Sequence, residues 1–105
     1  MMDAEKVCFE MICHVGEARS YFIEAIQHAR KKEFSRAREL IDSGKQSYNQ
    51  GHAVHARLIQ SEMEQEGNQL SLILIHAEDQ MMSAENFKIL SEEFLALYIF
   101  LYDEK

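Results

Sequence analysis

The stretch LILIHAEDQMMSAE, residues 72–85, combines an aliphatic run with a histidine and an aspartate three residues apart. Its first residues alone would suit a β-strand as well as a helix. The apolar pattern, however, continues along one helical face towards the C-terminus without an intervening Pro or Gly. We therefore predict a long helix here, in which a polar pair inside an apolar segment requires a structural partner or a function.

The composition favours a single all-α domain covering residues 1–105, because 47% of the residues are apolar and the chain has four Gly and no Pro. The formal net charge of −7 argues against a nucleic-acid partner. The acidic N-terminus lacks a signal segment, and the apolar runs are too short to span a bilayer. We expect a cytoplasmic protein without direct membrane insertion, in which Cys8 and Cys13 are reduced.

Three helices are predicted, over about residues 3–31, 35–66 and 70–103. Asp3 suits a helix N-cap, and Gly67 suits the position after a helix C-terminus. Because the connections are short, neighbouring helices must be antiparallel, and the expected fold is an up-down-up three-helix bundle. The predicted core positions recur at steps of about three and four residues: Met11, Val15, Ala18, Phe22, Ala25, Ala29; Ala37, Ile41, Gly44, Tyr48, Gly51, His55, Leu58; Ile73, Ala77, Ala84, Phe87, Phe94, Tyr98, Leu101.

Two glycines, Gly44 and Gly51, lie in the predicted core stripe of the second helix. Each costs about 1 kcal/mol in a helix interior relative to alanine. Their presence predicts either close helix packing or a site in this part of the chain.

The third helix carries a second stripe on a different face, formed by Leu72, Ile75, Asp79, Met82 and Asn86. A helix that is apolar on two sides needs a second partner, and in so small a bundle we expect another subunit. In a symmetric interface the copies of Asp79 would meet near the axis. Because clustered carboxylates repel one another, they would take up a proton or a hard cation such as Mg²⁺.

The histidines allow more than one interpretation. His76 and Asp79 lie one helical turn apart, and such a pair alone can simply stabilise a helix. His52 and His55 form a second pair of the same spacing, which either lines a polar region beside His76 or, with His14 as a further ligand, binds zinc. The chain contains no Walker loop, dinucleotide fingerprint, nucleophile elbow or HExxH motif.

Several segments resemble one family over about residues 8–102. VGEARSYFIEAI, residues 15–26, is similar to that family's Ala-Gly-Asp-Ala-Arg-Ser segment and its continuation. His52 and the Arg-Leu-Ile at 57–59 fall where the family has a His and a Lys-Leu-Ile. The most specific segment is HAEDQMMS, residues 76–83, which resembles His-Ala-Gln-Asp-His-Leu-Met-Thr. The family is the enzyme IIA component of the lactose/cellobiose (chitobiose) family of the phosphoenolpyruvate-dependent sugar phosphotransferase system.

The resemblance implies that His76 accepts a phosphoryl group from the phosphocarrier HPr and passes it to a cysteine of the IIB component. The sugar would be a β-glucoside or disaccharide such as cellobiose, chitobiose or lactose, and its specificity would lie in the membrane IIC component. The resemblance also implies a homotrimer in which Asp79 from each subunit holds Mg²⁺ or a similar divalent cation on the axis. His52 would line the groove around His76.

The chain departs from the family pattern beside the proposed site. Gln80 stands where a His is common, Glu78 where a Gln is common, His55 replaces a Gln and Ala56 a Thr. If Glu78 faces the site, its negative charge would oppose an incoming phosphoryl group. An alternative therefore stays open, in which the chain is a catalytically silent trimeric module that acts through protein contacts or in regulation.

Overall fold

A computed structural model describes residues 4–63 and 72–102, and this part of the chain forms three α-helices without a strand. Helix α1 spans Ala4–Arg30, α2 spans Phe34–Met63 and α3 spans Leu72–Tyr102. The all-α prediction is confirmed, and α2 begins one residue earlier than expected. The predicted N-cap at Asp3 and the predicted helix end at Gly67 fall outside the described residues.

The turn between α1 and α2 has a helix-terminating geometry formed without glycine. Lys32 adopts a left-handed backbone conformation with φ of 68°. The amide N–H of Glu33 donates to the carbonyl of His28, and that of Lys32 donates to the carbonyl of Ala29, each over 3.0 Å. These two bonds form a Schellman motif, which satisfies carbonyls at the end of α1 and reverses the chain.

Contacts between the helices establish their directions. Val15 of α1 faces Gly51 of α2, while Phe22, further along α1, faces the earlier Gly44. The two helices are therefore antiparallel. The ion pairs Lys45–Glu92 and His55–Glu78 show the same opposed order for α2 and α3. This is the predicted up-down-up bundle.

The interior consists of two clusters of buried residues. The turn-end core, near the α1–α2 turn, contains Val15, Ala18, Phe22, Ala25, Ala29, Ala37, Leu40, Ile41, Tyr48 and Ala84. The site-end core contains Cys8, Met11, Val54, Leu58, Leu74 and Ala77. All predicted core positions of α1 are buried, and so is Cys8, whereas Cys13 is exposed.

The two glycines of α2 allow α1 to approach closely. A Cβ atom at Gly44 would lie 2.5 Å from Cε1 of Phe22, and a Cβ atom at Gly51 would lie 2.7 Å from Cγ1 of Val15. Real Cβ contacts are longer, so a side chain at either position would displace a buried neighbour. Of the two predicted explanations for these glycines, close packing is the one that the structure shows.

The predicted core stripe of α3 is partly wrong. Phe94 is 36% exposed and Leu101 is 52% exposed. The cause is the helical repeat of 3.6 residues: each step of seven residues falls about 20° short of whole turns and a step of three falls about 60° short, so the predicted stripe moves around the helix. Phe94 thus lies about 100° around the axis from Ala77. The buried residues of α3, called here its inner face, are Leu74, Ala77, Ala84 and Ser91.

The second predicted stripe of α3 is exposed along its whole length, as expected. With two further apolar positions it forms the outer face of α3: Leu72, Ile75, Asp79, Met82, Asn86, Ile89 and Phe100. The exposed fractions reach 87% for Leu72, 63% for Met82 and 74% for Phe100.

Candidate functional site

His76 lies on α3 directly before Ala77, which is buried in the site-end core. The histidine itself is exposed, and within residues 4–63 and 72–102 its side chain makes no hydrogen bond or ion pair. Gln80 follows one turn later and is half-buried. Neutral imidazole is a nucleophile near pH 7, so this position suits the formation of a covalent bond at a ring nitrogen.

Asp79 lies on the outer face of α3, about 60° around the helix axis from His76. Its side chain is exposed between the apolar residues Ile75 and Met82. The described part of a single chain contains no group of three or more His, Cys, Asp or Glu side chains that could hold a metal ion. Asp79 is accordingly not part of a metal-binding group within the described residues of one chain.

Glu78 and His55 form a cross-helix pair that the sequence did not reveal. Nε2 of His55 lies 2.8 Å from Oε2 of Glu78 and joins α2 to α3. Because an ionised carboxylate only accepts hydrogen bonds, Nε2–H of His55 is the donor. Glu78 lies about 200° around α3 from His76. Within one chain, the two side chains consequently face opposite flanks of the helix.

The other histidines have separate environments. The ring of His52 is exposed and lies 6.2 Å, centroid to centroid, from the ring of Tyr48. Nε2 of His14 lies 3.7 Å from Oε2 of Glu10 on the same helix. His55 pairs with Glu78. Among the described residues these histidines do not assemble into a metal-binding group, so the alternative of a zinc site built within one chain on His14, His52 and His55 is wrong.

A groove between α2 and α3 was also missed from the sequence. Its volume is about 340 Å³, and it is lined by Arg38, Ile41, Asp42, Lys45, Glu92, Leu95, Ala96 and Ile99. Nζ of Lys45 lies 2.7 Å from Oε2 of Glu92 across it, and this hydrogen bond raises the pKa of Lys45. Nearby in the core, burial raises the pKa of Tyr48. The groove arises from residues more than forty positions apart, which no local pattern connects.

The fold and the site define an all-α three-helix protein that presents a histidine beside an exposed apolar helix face. The family described as "PTS system, Lactose/Cellobiose specific IIA subunit" matches residues 6–99. The chain is 35% identical over 94 residues to the oligo-β-mannoside-specific EIIA component of Bacillus subtilis, covering 90% of this chain and 86% of that protein. It is 28% identical over 96 residues to the N,N'-diacetylchitobiose-specific EIIA component of Escherichia coli K12, covering 91% and 83%.

A solved structure gives the same result. The crystal structure of the PTS cellobiose-specific enzyme IIA from Bacillus anthracis superposes with a TM-score of 0.92 at 37% sequence identity, covering 100% of this chain and 96% of that chain. The chain therefore belongs to the lactose/cellobiose-specific IIA subunits of the sugar phosphotransferase system. It is a component of that system in sugar uptake. None of the described helices is long and apolar enough to cross a membrane.

Proposed function

We propose that the chain is a phosphohistidine carrier, which accepts a phosphoryl group from HPr on His76 and transfers it to a cysteine of the IIB component. The observation that carries this proposal is the exposed His76 on α3, within the segment matched by the family. The relatives act in systems named for oligo-β-mannosides, lichenan, chitobiose and lactose. We accordingly propose uptake of a β-glucoside or disaccharide of this kind, bound by the membrane IIC component.

The transfer consists of two exchanges at phosphorus. A ring nitrogen of His76 attacks the phosphorus of phospho-HPr, so that a new P–N bond forms while the P–N bond to the HPr histidine breaks. A IIB thiolate then attacks, the P–S bond forms and the bond to His76 breaks. Such transfers depend mainly on in-line positioning and charge stabilisation. Gln80 and His52 are proposed to support the group at His76.

The active form is proposed to be a homotrimer in which the outer faces of three α3 helices pack around a common axis. The support for this is the exposure of Leu72, Met82 and Phe100, which would leave a large apolar area in water, interrupted by Asp79 and Asn86. The outer face extends over the length of α3, so the proposed threefold axis would run nearly parallel to this helix. No other described helix offers a comparable apolar face, since only Phe9 is an exposed large apolar residue outside α3.

Asp79 is proposed to hold Mg²⁺ or a similar divalent cation on this axis. Three copies would supply three carboxylate oxygens, the ligand type that hard cations prefer, and a cation would offset their mutual repulsion. The test is sedimentation of the wild type and of Asp79→Ala, with and without EDTA. We expect chelation to weaken the wild-type assembly and to leave the variant unchanged. An identical, EDTA-insensitive trimer for both proteins would exclude the cation.

The phosphocarrier proposal is tested by incubating the protein with phosphoenolpyruvate, enzyme I and HPr and then mapping the modified peptide by mass spectrometry. We expect one acid-labile phosphoryl group on His76. It should be absent in His76→Ala and retained in His28→Ala, whose histidine lies at the α1–α2 turn beside Glu33.

Phosphorylation at another histidine would overturn the assignment to His76. No transfer with HPr and IIB from the same cell would favour the alternative of a silent trimeric interaction module.

A further inference from the structure

The two flanks of α3 carry different side chains, His76 and Glu78, at nearly the same position along the helix axis. Viewed down the helix, His76 lies about 60° to one side of Asp79, and Glu78 lies about 100° to the other side. On the second flank, His55 of α2 donates to Glu78 over 2.8 Å. The His55 side chain is only 18% exposed and that of Glu78 is 38% exposed, so the pair is fixed at the edge of the bundle.

Cyclic symmetry brings these flanks together. In a closed ring each contact joins one side of a subunit to the opposite side of the next, because the interface is heterologous. With Asp79 towards a threefold axis, the flank with His76 meets the neighbouring flank that carries Glu78. Parallel helices pack about 8–10 Å apart, and two residues differ by about 3 Å in height. The side chains of His76 in one subunit and Glu78 in the next are therefore close enough to act on the same phosphoryl group.

We infer that the His55–Glu78 pair of one subunit forms the opposite wall of the neighbouring subunit's His76 site, with His55 as a positioning residue. This inference rests on the proposed function. The Glu78 carboxylate would repel a phosphoryl group arriving at His76. The hydrogen bond from His55 holds that carboxylate against α2 and disperses its charge. A site that carries Glu78 consequently needs a donor at position 55.

The first test measures the rate of phosphoryl transfer from phospho-HPr to His76. We expect His55→Ala to slow transfer about five- to tenfold, because it releases the Glu78 carboxylate. His55→Gln, which keeps a donor, should remain within about twofold of the wild type. The double variant His55→Ala/Glu78→Gln should recover the wild-type rate. A double variant as slow as His55→Ala, or an unimpaired His55→Ala, would overturn the inference.

Thermal unfolding of each variant separates positioning from stability. If the role of the pair is purely structural, the phosphoryl-transfer rate of each variant should follow its fraction of folded protein. The double variant should then transfer no faster than His55→Ala. Recovery of the rate without recovery of the melting temperature supports positioning.

The second test determines whether the pair acts between subunits. Two kinds of subunit are co-expressed: His76→Ala subunits, which keep the His55–Glu78 pair, and His55→Ala subunits, which keep His76. With the first kind in about tenfold excess, most subunits that keep His76 have a neighbour whose pair is intact. We expect these mixed assemblies to accept phosphoryl groups at the wild-type rate per His76. Persistently slow transfer would place the effect within one chain and overturn the inference. Failure of the proposed function is distinguishable, because then the wild type itself would take up no phosphoryl group.

Discussion

The two faces of α3 show the reverse of the size distribution expected for an isolated bundle. Apart from Leu74, the inner face buries small residues, since Ala77, Ala84 and Ser91 are at most 1% exposed. On the outer face Leu72 is 87% exposed and Phe100 is 74% exposed. A helix serving only one core would bury the large side chains and expose the small ones. The difference indicates that the inner face sets how closely the helices approach, while the outer face is built to be covered.

Small residues have the same role between α1 and α2. Gly44 and Gly51 leave no space for a Cβ atom beside Phe22 and Val15. Phe22 and Val15 of α1 fill the space beside these glycines, and Leu40, Val54 and Leu58 of α2 supply core volume at other positions. On α3, Leu74 is buried and Phe87 and Tyr98 pack partly against the core, whereas Leu72, Met82 and Phe100 are exposed.

The largest effect is expected from charges on the outer face. Met82→Glu/Ile89→Glu should abolish the proposed assembly, because burying these carboxylates at the proposed axis costs more than the apolar contacts contribute. Sedimentation velocity should then give the monomer mass of 12.3 kDa, with helical circular dichroism retained.

The matched control is Gln46→Glu/Gln50→Glu, which adds the same charge at exposed positions of α2 and should leave assembly intact. A wild-type protein that is already monomeric at micromolar concentration would contradict the role of the outer face.

An intermediate effect is expected on the inner face. Ala84 is fully buried in the turn-end core, so Ala84→Leu should destabilise the fold by about 2 kcal/mol through overpacking. Urea unfolding at one fixed protein concentration measures this change. Ala56→Leu, at an exposed position of α2, is the control and should change stability by less than about 0.5 kcal/mol. Equal effects at both positions would show that the inner face does not limit side-chain size.

The smallest effects are expected at the glycines. Gly44→Ala should destabilise by about 1 kcal/mol, since the clash with Phe22 outweighs the gain in helix propensity. Gly16→Ala should stabilise by about 0.5–1 kcal/mol, because its Cβ would meet no atom within 4 Å. Thermal unfolding of the two variants should therefore shift in opposite directions. Stabilisation by both would refute the close approach of α1 and α2.

Much of the fold could be predicted because helical periodicity is a local property. The seam from Met11 to Ala29 is buried as its spacing indicated, and the same periodicity predicted the outer face from Leu72 to Asn86, without Ile89 and Phe100. The family match over residues 6–99 confirms the resemblance, and the candidate site at residues 76–83 stays a prediction that follows from it. The end of the α3 core stripe was wrong because a small error in period accumulates over several turns.

The sequence by itself determined that the chain is helical, which faces are apolar, and that His76 and Asp79 share a turn. Only the tertiary structure decided the partner of Glu78, since His55 is 23 positions away and their contact depends on how α2 packs against α3. The same holds for the groove beside Lys45 and Glu92. Spacing along one helix follows from backbone geometry alone, whereas contacts between helices depend on packing distances set by small residues such as Gly44 and Ala84.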